Sequence, residues 1–535
     1  MLHDQFCVRP ISASTSVNYT AAHTKCVLIN ELISNHFDEW LGVRSLVSQD
    51  RPVPLEFGVL DRDGRFEVLT ADGRRETRQL VPSHEIIQRR QKMSSQDVIV
   101  PLVQHFVADQ AAREKVLLFR NQRGSAEGCA NYLAKEIGLP SATAAIAALP
   151  THDRSATSET LRLALQGGAA FHTSDLSREE RAVVENAYRD PNGPVRVRAA
   201  TMTVAAGINT PASTVIIVEH DFPWENRDYT VSDVRNMAGR AGRLGFRETG
   251  RAILLAETPF DRTRLFEQYV LSAPEPVTSS FTGDDLGTWL VRLFAQTGSV
   301  PGEDVVNLLT NTFGGYLSAR RDPAWPDRTA RQAHDQVGRM ETQGLLERDS
   351  DGLLHLTLLG RACGESSLSL DSALRLVDLI GRVHSGPLTP EQLMALLQIL
   401  PELDRQYTPL FKRGQGEAQW SREASQLFGT EIGRTLRERA PDIHAYYGRA
   451  KRACLLMAWI RGEPAGQIET RFTHNPLKGG GAGDIRGIAD LTRFHLRPAA
   501  VIAQIAAPDI APQTEAMDLV LRQLETGLPA TILDL

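Results

Sequence analysis

The sequence predicts an α/β domain built on a parallel sheet, then a small helix-plus-hairpin module, then an all-α region. Three observations carry that reading. Between residues 97 and 256, short apolar runs alternate with helical patterns, the rhythm of a sheet covered on both faces. Near residues 331–362 a helical stretch is followed by two short runs flanking Asp351-Gly352. Beyond them only helical patterns remain, interrupted by Pro- and Gly-containing segments at 386–389, 463–466 and 475–483.

Taken in order, residues 1–36 show neither the helical nor the strand period, and no element is assigned to them. A helical turn at FDEWL leads into VRSLV and RPVPLEFGVL, which alternate as strands do. Arg62-Asp63-Gly64 and Asp72-Gly73 are turn signals, so this part predicts a small β-hairpin. VIVPLVQHFVADQ reads as a helix and KVLLF (115–119) as a buried strand. SAEGCANYLAKEIG returns to helical spacing, with Gly138 and Pro140 as its stop. GGAAFH, VRVRAAT, STVIIVEH and RAILLAE read as further strands; REERAVVENAYRD and VSDVRNMAGRAG read as helices. The expected domains are 37–258 (α/β, with the hairpin inserted), 275–366 (winged helix, from the helix and β-wing pattern) and 367–535 (helical).

Composition sets the class. With 42% hydrophobic and 23% charged residues the chain has a globular profile. No run approaches the roughly 18–20 apolar residues that span a bilayer, and residues 1–20 lack the pattern of a secretory signal. Cys7, Cys26, Cys129, Cys363 and Cys454 are scattered without a CxxC pair, which argues against a disulfide framework or a structural zinc. A cytoplasmic protein with no membrane partner is expected. A net charge of −6 gives no general attraction to polyanions, so any nucleic-acid contact must use local arginine-rich surfaces.

Two segments carry chemistry. In Asn236-Met237-Ala238-Gly239-Arg240-Ala241-Gly242-Arg243, two arginines three apart project to one side of a helical turn. The glycines admit a phosphate chain, and a guanidinium pair suits a γ-phosphate in transfer. The same spacing equally suits a glycine-permitted helix crossing with surface arginines. Thr201-Met202-Thr203-Val204-Ala205-Ala206-Gly207-Ile208-Asn209 follows a strand and offers hydroxyls and N–H groups to phosphates, as an ordinary strand-to-helix turn also does. Farther on, Arg486, Arg493 and Arg497 recur at helical spacing with Phe494 beside them. That pattern fits base stacking and phosphate gripping, or a solvated basic face with Phe494 in the core. Trp459, inside CLLMAWI, reads as core.

In order, KVLLFRNQRGSAEGCANYLA, GGAAFHTSDLSREER, VRAATMTVAAGINTPASTVII and VRNMAGRAGRLG resemble motifs IV, IVa, V and VI of the Ski2-like branch of superfamily-2 helicases. Asn236 stands where that family usually has Gln. LLERDSDGLLHLTLLGRA resembles the family's winged helix, and GAGDIRGIADLTRFHLRPAAVIAQI its helical ratchet domain. The resemblance implies a RecA-like sheet domain, with Arg240 and Arg243 as arginine fingers and Gly207, Asn209, Asn236 and Gly239 at the nucleotide. It implies that Thr201 and Thr203, with residues near Arg120 and His172, hold the translocated strand, and that Arg486, Arg493 and Phe494 grip it in the ratchet. Single-stranded or partly duplex nucleic acid is the implied partner. No GxxxxGK[ST] occurs in the sequence. ATP and Mg2+ are therefore expected only where a first RecA-like domain is supplied by a partner, such as a separate chain. The rival expectation is an inert nucleic-acid-binding or regulatory subunit of such a motor.

Overall fold

The computed structural model describes residues 37–41, 53–88, 94–108, 114–151, 155–202, 212–242, 249–281, 285–382, 386–410, 417–473 and 481–533. Among them, residues 37–277 and 481–483 form one compact unit, and residues 278–473 and 484–533 form another.

The first unit is an eight-stranded sheet. Its strands are β1 (Leu55–Leu60), β2 (Arg65–Leu69), β3 (Arg75–Gln79), β4 (Val116–Arg120), β5 (Ala169–His172), β6 (Val197–Thr201), β7 (Thr214–Ile217) and β10 (Gly250–Leu255), in the order β3-β2-β1-β10-β7-β4-β6-β5. A short pair, β8 (Asp221–Phe222) and β9 (Arg227–Asp228), stands apart from it. From β1 to β5 every neighbour pairs parallel. Residue alternation divides each parallel strand between two cores. On β4, Val116 and Leu118 pack with α1 (Ser95–Val107), α2 (Arg123–Ile137), α3 (Ala156–Gln166) and α4 (Arg178–Arg189). Leu117 and Phe119 face the opposite layer, which contains α5 (Val231–Ala238). Four successive buried residues on β4 match a strand covered on both sides. Gly138, at φ 69°, ends α2 where the sequence indicates.

Two expectations change here. The hairpin β2–β3 exists, but β1 is part of the main sheet, pairing parallel with β10 from Leu55↔Gly250 to Leu60↔Leu255. The unit also extends past residue 258. Pro259–Leu265 and the π-helical turn Phe266–Leu271 lay Leu265, Phe266, Tyr269 and Val270 onto the sheet, because an apolar face there has nowhere else to be buried.

In the second unit, β11 (Val300–Pro301), β13 (Leu353–Leu356) and β12 (Leu346–Arg348) form a three-stranded sheet beside α6 (Leu286–Thr297), α7 (Trp325–Thr342) and α8 (Leu358–Glu365). The wing turns at Gly352 (φ 81°), braced by Asp349, which accepts from Asp351 N at 3.0 Å and Leu353 N at 2.8 Å. Helices follow: α9 (Leu370–Gly381), α10 (Pro390–Leu397), α11 (Ala418–Phe428), α12 (Ile443–Ile460), α13 (Ala465–Phe472), α14 (Ala482–Ala506) and α15 (Thr514–Thr526). The winged-helix part and the helical part share one compact unit. On α12, buried Arg449 and Arg452 both bind Asp404, at 2.6 and 2.9 Å. Among the described residues no helix is long and apolar enough to cross a membrane, and no His, Cys, Asp and Glu group is arranged to hold a metal.

Candidate nucleotide and nucleic-acid interface

Parallel strands end on a common edge, and here that edge collects the candidates. Arg120 of β4 is in register with Thr201 of β6, and His172 of β5 with Ala200. Ligands of open parallel sheets bind at this C-terminal edge. β8 and β9 follow β7 and rise from the same edge, with Asn121 Nδ2 donating to Asp221 at 3.0 Å. At the tip of this pair Trp224 is 85% exposed, and Asn226 takes a left-handed φ of 49° to close the turn.

The side chains at the edge divide sharply. Arg120 donates to Glu219 in a bidentate pair, at 2.9 Å from Nε and 2.6 Å from Nη2. Asn121 N adds a bond to the same carboxylate at 3.1 Å. The guanidinium of Arg120 is thus paired within the fold. His172 is also buried, with Nε2 3.0 Å from Glu185. Burial, and then the charge of Arg198, pushes its imidazole down to about 4 despite Glu185. His172 is thus enclosed at the edge, held by Glu185. Thr201 is half-buried at the end of β6. Thr203, Gly207 and Asn209 lie outside the described residues. β6 ends on this edge, while β7, parallel to its neighbours, begins on the other. The chain between Thr201 and Ala212 therefore connects the two edges.

At that opposite edge sits the end of α5. Thr230 caps this helix reciprocally with Asp233. Glu275 accepts from Val231 N at 2.6 Å and Ser232 N at 3.1 Å, placing a carboxylate at the positive helix end. No local signal announces Glu275, because its partners lie more than 40 residues away. Asn236 is exposed on α5, with Gly239 and Arg240 half-buried at its end. The helix stops at Ala238. Ala241 then bridges to Ala212, Gly242 N donates to Ala212 O at 2.8 Å, and Gly242 adopts φ 67°. A Cβ on Gly242 would come within 2.7 Å of Gly250, so only glycine fits this crossing. Arg240 therefore follows the end of the helix, and Arg243 lies outside the described residues. Buried Arg198 lies against the Tyr188 ring at 4.6 Å; burial pushes it down to about 10, with Arg189 and Arg240 acting in the same direction.

In the second unit, α14 presents Gly487, Asp490, Phe494, Arg497 and Val501 outward at three- and four-residue spacing. Phe494 is 56% exposed, so it belongs to the surface and not to the core. Arg486 and Arg493 flank it half-buried. Arg493 and Arg497 reach Glu525 and Asp518 of α15 only at 3.7 and 3.8 Å. Next to Phe494, His495 turns inward, its Nδ1 2.9 Å from Ser367 Oγ. Trp459 is core as expected, donating from Nε1 to Leu524 O at 2.9 Å.

Residues 141–245 match the family described as the helicase conserved C-terminal domain. The chain is 27% identical over 467 residues to the ATP-dependent DNA helicase Hel308 of Pyrococcus horikoshii, covering 85% of this chain and 58% of that protein. For its counterpart in Pyrococcus abyssi the values are 28% over 405 residues, 73% and 52%. For Pyrobaculum calidifontis they are 27% over 489 residues, 87% and 60%. The chain thus spans between half and three fifths of the length of these relatives. Motif order on a parallel sheet, the matched domain and the relatives agree in one likeness: this chain is similar to superfamily-2 helicases and contains a stretch like their conserved C-terminal domain.

Proposed function

We propose that this chain supplies the second motor half of an ATP-dependent helicase, together with the helical surface past which a single strand is ratcheted. The observation that carries the reading is that Thr201, at the end of β6, and Arg240, just after α5, stand at opposite edges of one sheet that joins them. A domain connected in this way converts closure around a nucleotide into movement of a bound strand. Arg240, half-buried at the end of α5, and Arg243 act as arginine fingers on a phosphate group; Asn236 and Gly239 lie beside Arg240, and Gly207 and Asn209 complete the nucleotide-binding set. ATP, when bound with Mg2+, supplies the transferable phosphoryl group. Its phosphates need a glycine-rich loop with its lysine, which this sequence does not contain. That half comes from a first RecA-like domain, in the same polypeptide or in a separate chain.

In the sheet unit, Thr201 and Thr203 take the backbone and exposed Trp224 offers a stacking platform; in the helical unit, exposed Phe494 offers another beside Arg493. Polar contacts to backbone and π-faces do not distinguish sequences.

The test is ATP turnover by this chain combined with a P-loop half and single-stranded DNA. Arg240→Ala is expected to lower turnover by about a thousandfold or more. Unchanged turnover in Arg240→Ala would remove the arginine-finger assignment. Salt-dependent strand binding that ignores ATP even with the P-loop half present would favour the inert binding module instead.

A further inference from the structure

The helical unit contains a polar cleft of about 680 Å³ that the motor chemistry does not use. Its basic lining comes from three places: Arg375 on α9, Arg405 just after the short helix Pro401–Asp404, and Arg439 in the turn before α12. We propose that this cleft is a binding site for a phosphate-bearing anion, clamped by the guanidiniums of Arg375, Arg405 and Arg439.

The argument begins with what the three arginines lack. Among the described residues, none of them has a carboxylate within ion-pair distance or a side-chain hydrogen bond. The Nη2 atom of Arg375 is buried with no partner at all. A buried donor left unmade is costly, and more so when charged. Burial lowers the proton affinity of Arg375 first, and Arg449 and Arg439 add like charge, which Asp404 and Glu438 offset only in part.

Carboxylates also line the cleft, but most are engaged elsewhere. Glu402 accepts from Ser369 N at 2.9 Å, Ser369 Oγ at 2.9 Å and Ser372 Oγ at 2.7 Å. Asp378 pairs with Arg382 at 2.7 Å, and Asp285 caps α6 by accepting from Thr288 N at 3.2 Å. Only Asp371, exposed at the start of α9, remains as a competing charge. The protein therefore spends its acids on helix ends and a surface pair, and leaves the guanidiniums facing the cleft.

The arrangement is also held rigidly. Arg449 binds Asp404, the residue before Arg405, at 2.6 Å. It also donates to Glu438 O, the residue before Arg439, at 2.9 Å. One buried side chain thus fixes two of the three cationic segments, and Arg439 is held at a left-handed φ of 52° that a free turn seldom adopts. Planar guanidinium forks suit the tetrahedral oxygens of a phosphate better than ammonium groups do.

The shared chemistry is a phosphate, and it has two sources: the backbone of a nucleic acid or a free phosphorylated molecule. The experiment titrates the full chain with inorganic phosphate and pyrophosphate by calorimetry, and with a labelled single-stranded oligonucleotide by anisotropy. Arg375→Ala, Arg405→Ala and Arg439→Ala are compared with the unmodified chain. Arg405 and Arg439 are exposed, so their variants fold, and melting temperature verifies it. Saturable phosphate binding that each variant weakens about tenfold supports the site. If each variant also weakens the oligonucleotide and lowers its salt slope by about one, the source is a nucleic-acid backbone. If oligonucleotide binding is unchanged, the source is a free phosphorylated molecule. Absence of phosphate binding together with unchanged oligonucleotide binding, or phosphate binding indifferent to all three substitutions, overturns the proposal.

Discussion

Arg120 and His172 at the edge of the sheet carry much the same chemistry as Arg493 and Phe494 on α14, yet the fold treats the two sets in opposite ways. The sheet-edge pair is enclosed: Arg120 has a side chain 11% exposed and a bidentate carboxylate, and His172 is buried against Glu185. The α14 pair is open, with Phe494 56% exposed and Arg493 tied to Glu525 only at 3.7 Å. Position in a motif nominates a residue. Whether it meets a ligand is decided by which partner reaches it first within the fold.

That contrast predicts different losses. Arg120→Ala leaves Glu219 with one backbone donor and should destabilise the sheet unit by about 3 kcal/mol in chemical denaturation. Intact stability with weakened strand affinity would break the contrast and return Arg120 to the strand-binding set. A second consequence is pH dependence. His172 and His220 are both held down at about 4, from an ordinary value of 6.5, chiefly by burial. The unfolded chain therefore takes up protons first as pH falls. Stability is complete above about pH 6.5 and should decline toward pH 4 by about 2 kcal/mol per histidine, after allowance for relaxation. A flat denaturation midpoint across that range would show that neither imidazole is enclosed.

On the open side, Phe494→Ala should weaken single-strand affinity by about 1–3 kcal/mol without lowering the melting temperature. A drop in melting temperature with unchanged affinity would move Phe494 back to a core role. The smallest effect is expected at Arg497, whose contact with Asp518 is exposed and 3.8 Å long. Arg497→Ala should change stability by less than about 0.5 kcal/mol. If it also leaves the salt slope of strand binding unchanged, the basic face of α14 ends before this residue.

Much of the motor unit was legible because its signals are local. KVLLF is a continuous apolar run, and β4 occupies Val116–Arg120; Gly138 ends α2 where a helix stop was expected. The helices Thr143–Ala148 and Ala156–Gln166 were missed, since short Ala- and Thr-containing stretches show little contrast between faces. The parallel pairing of β1 with β10 was also missed, because it joins segments about 195 residues apart and no period within either strand records it. At the candidate site, the order and spacing of the motifs were readable. The partners of those residues were not, because Glu219, Glu185 and Glu275 reach their targets through folding rather than through sequence proximity.

By itself the sequence determined the alternation of strands and helices, the β-wing at Asp351-Gly352 and the order of the helicase motifs, since each depends on periodicity or on turn residues a few positions apart. Only the tertiary structure decided where α5 ends. Gly242 must cross Gly250 at a distance no side chain permits, so the turn carrying Arg240 is shaped by a strand that comes later in the chain. It likewise decided that Arg120 faces a carboxylate and Phe494 faces solvent. Burial and ion pairing are properties of neighbours in space, and a linear pattern does not contain them.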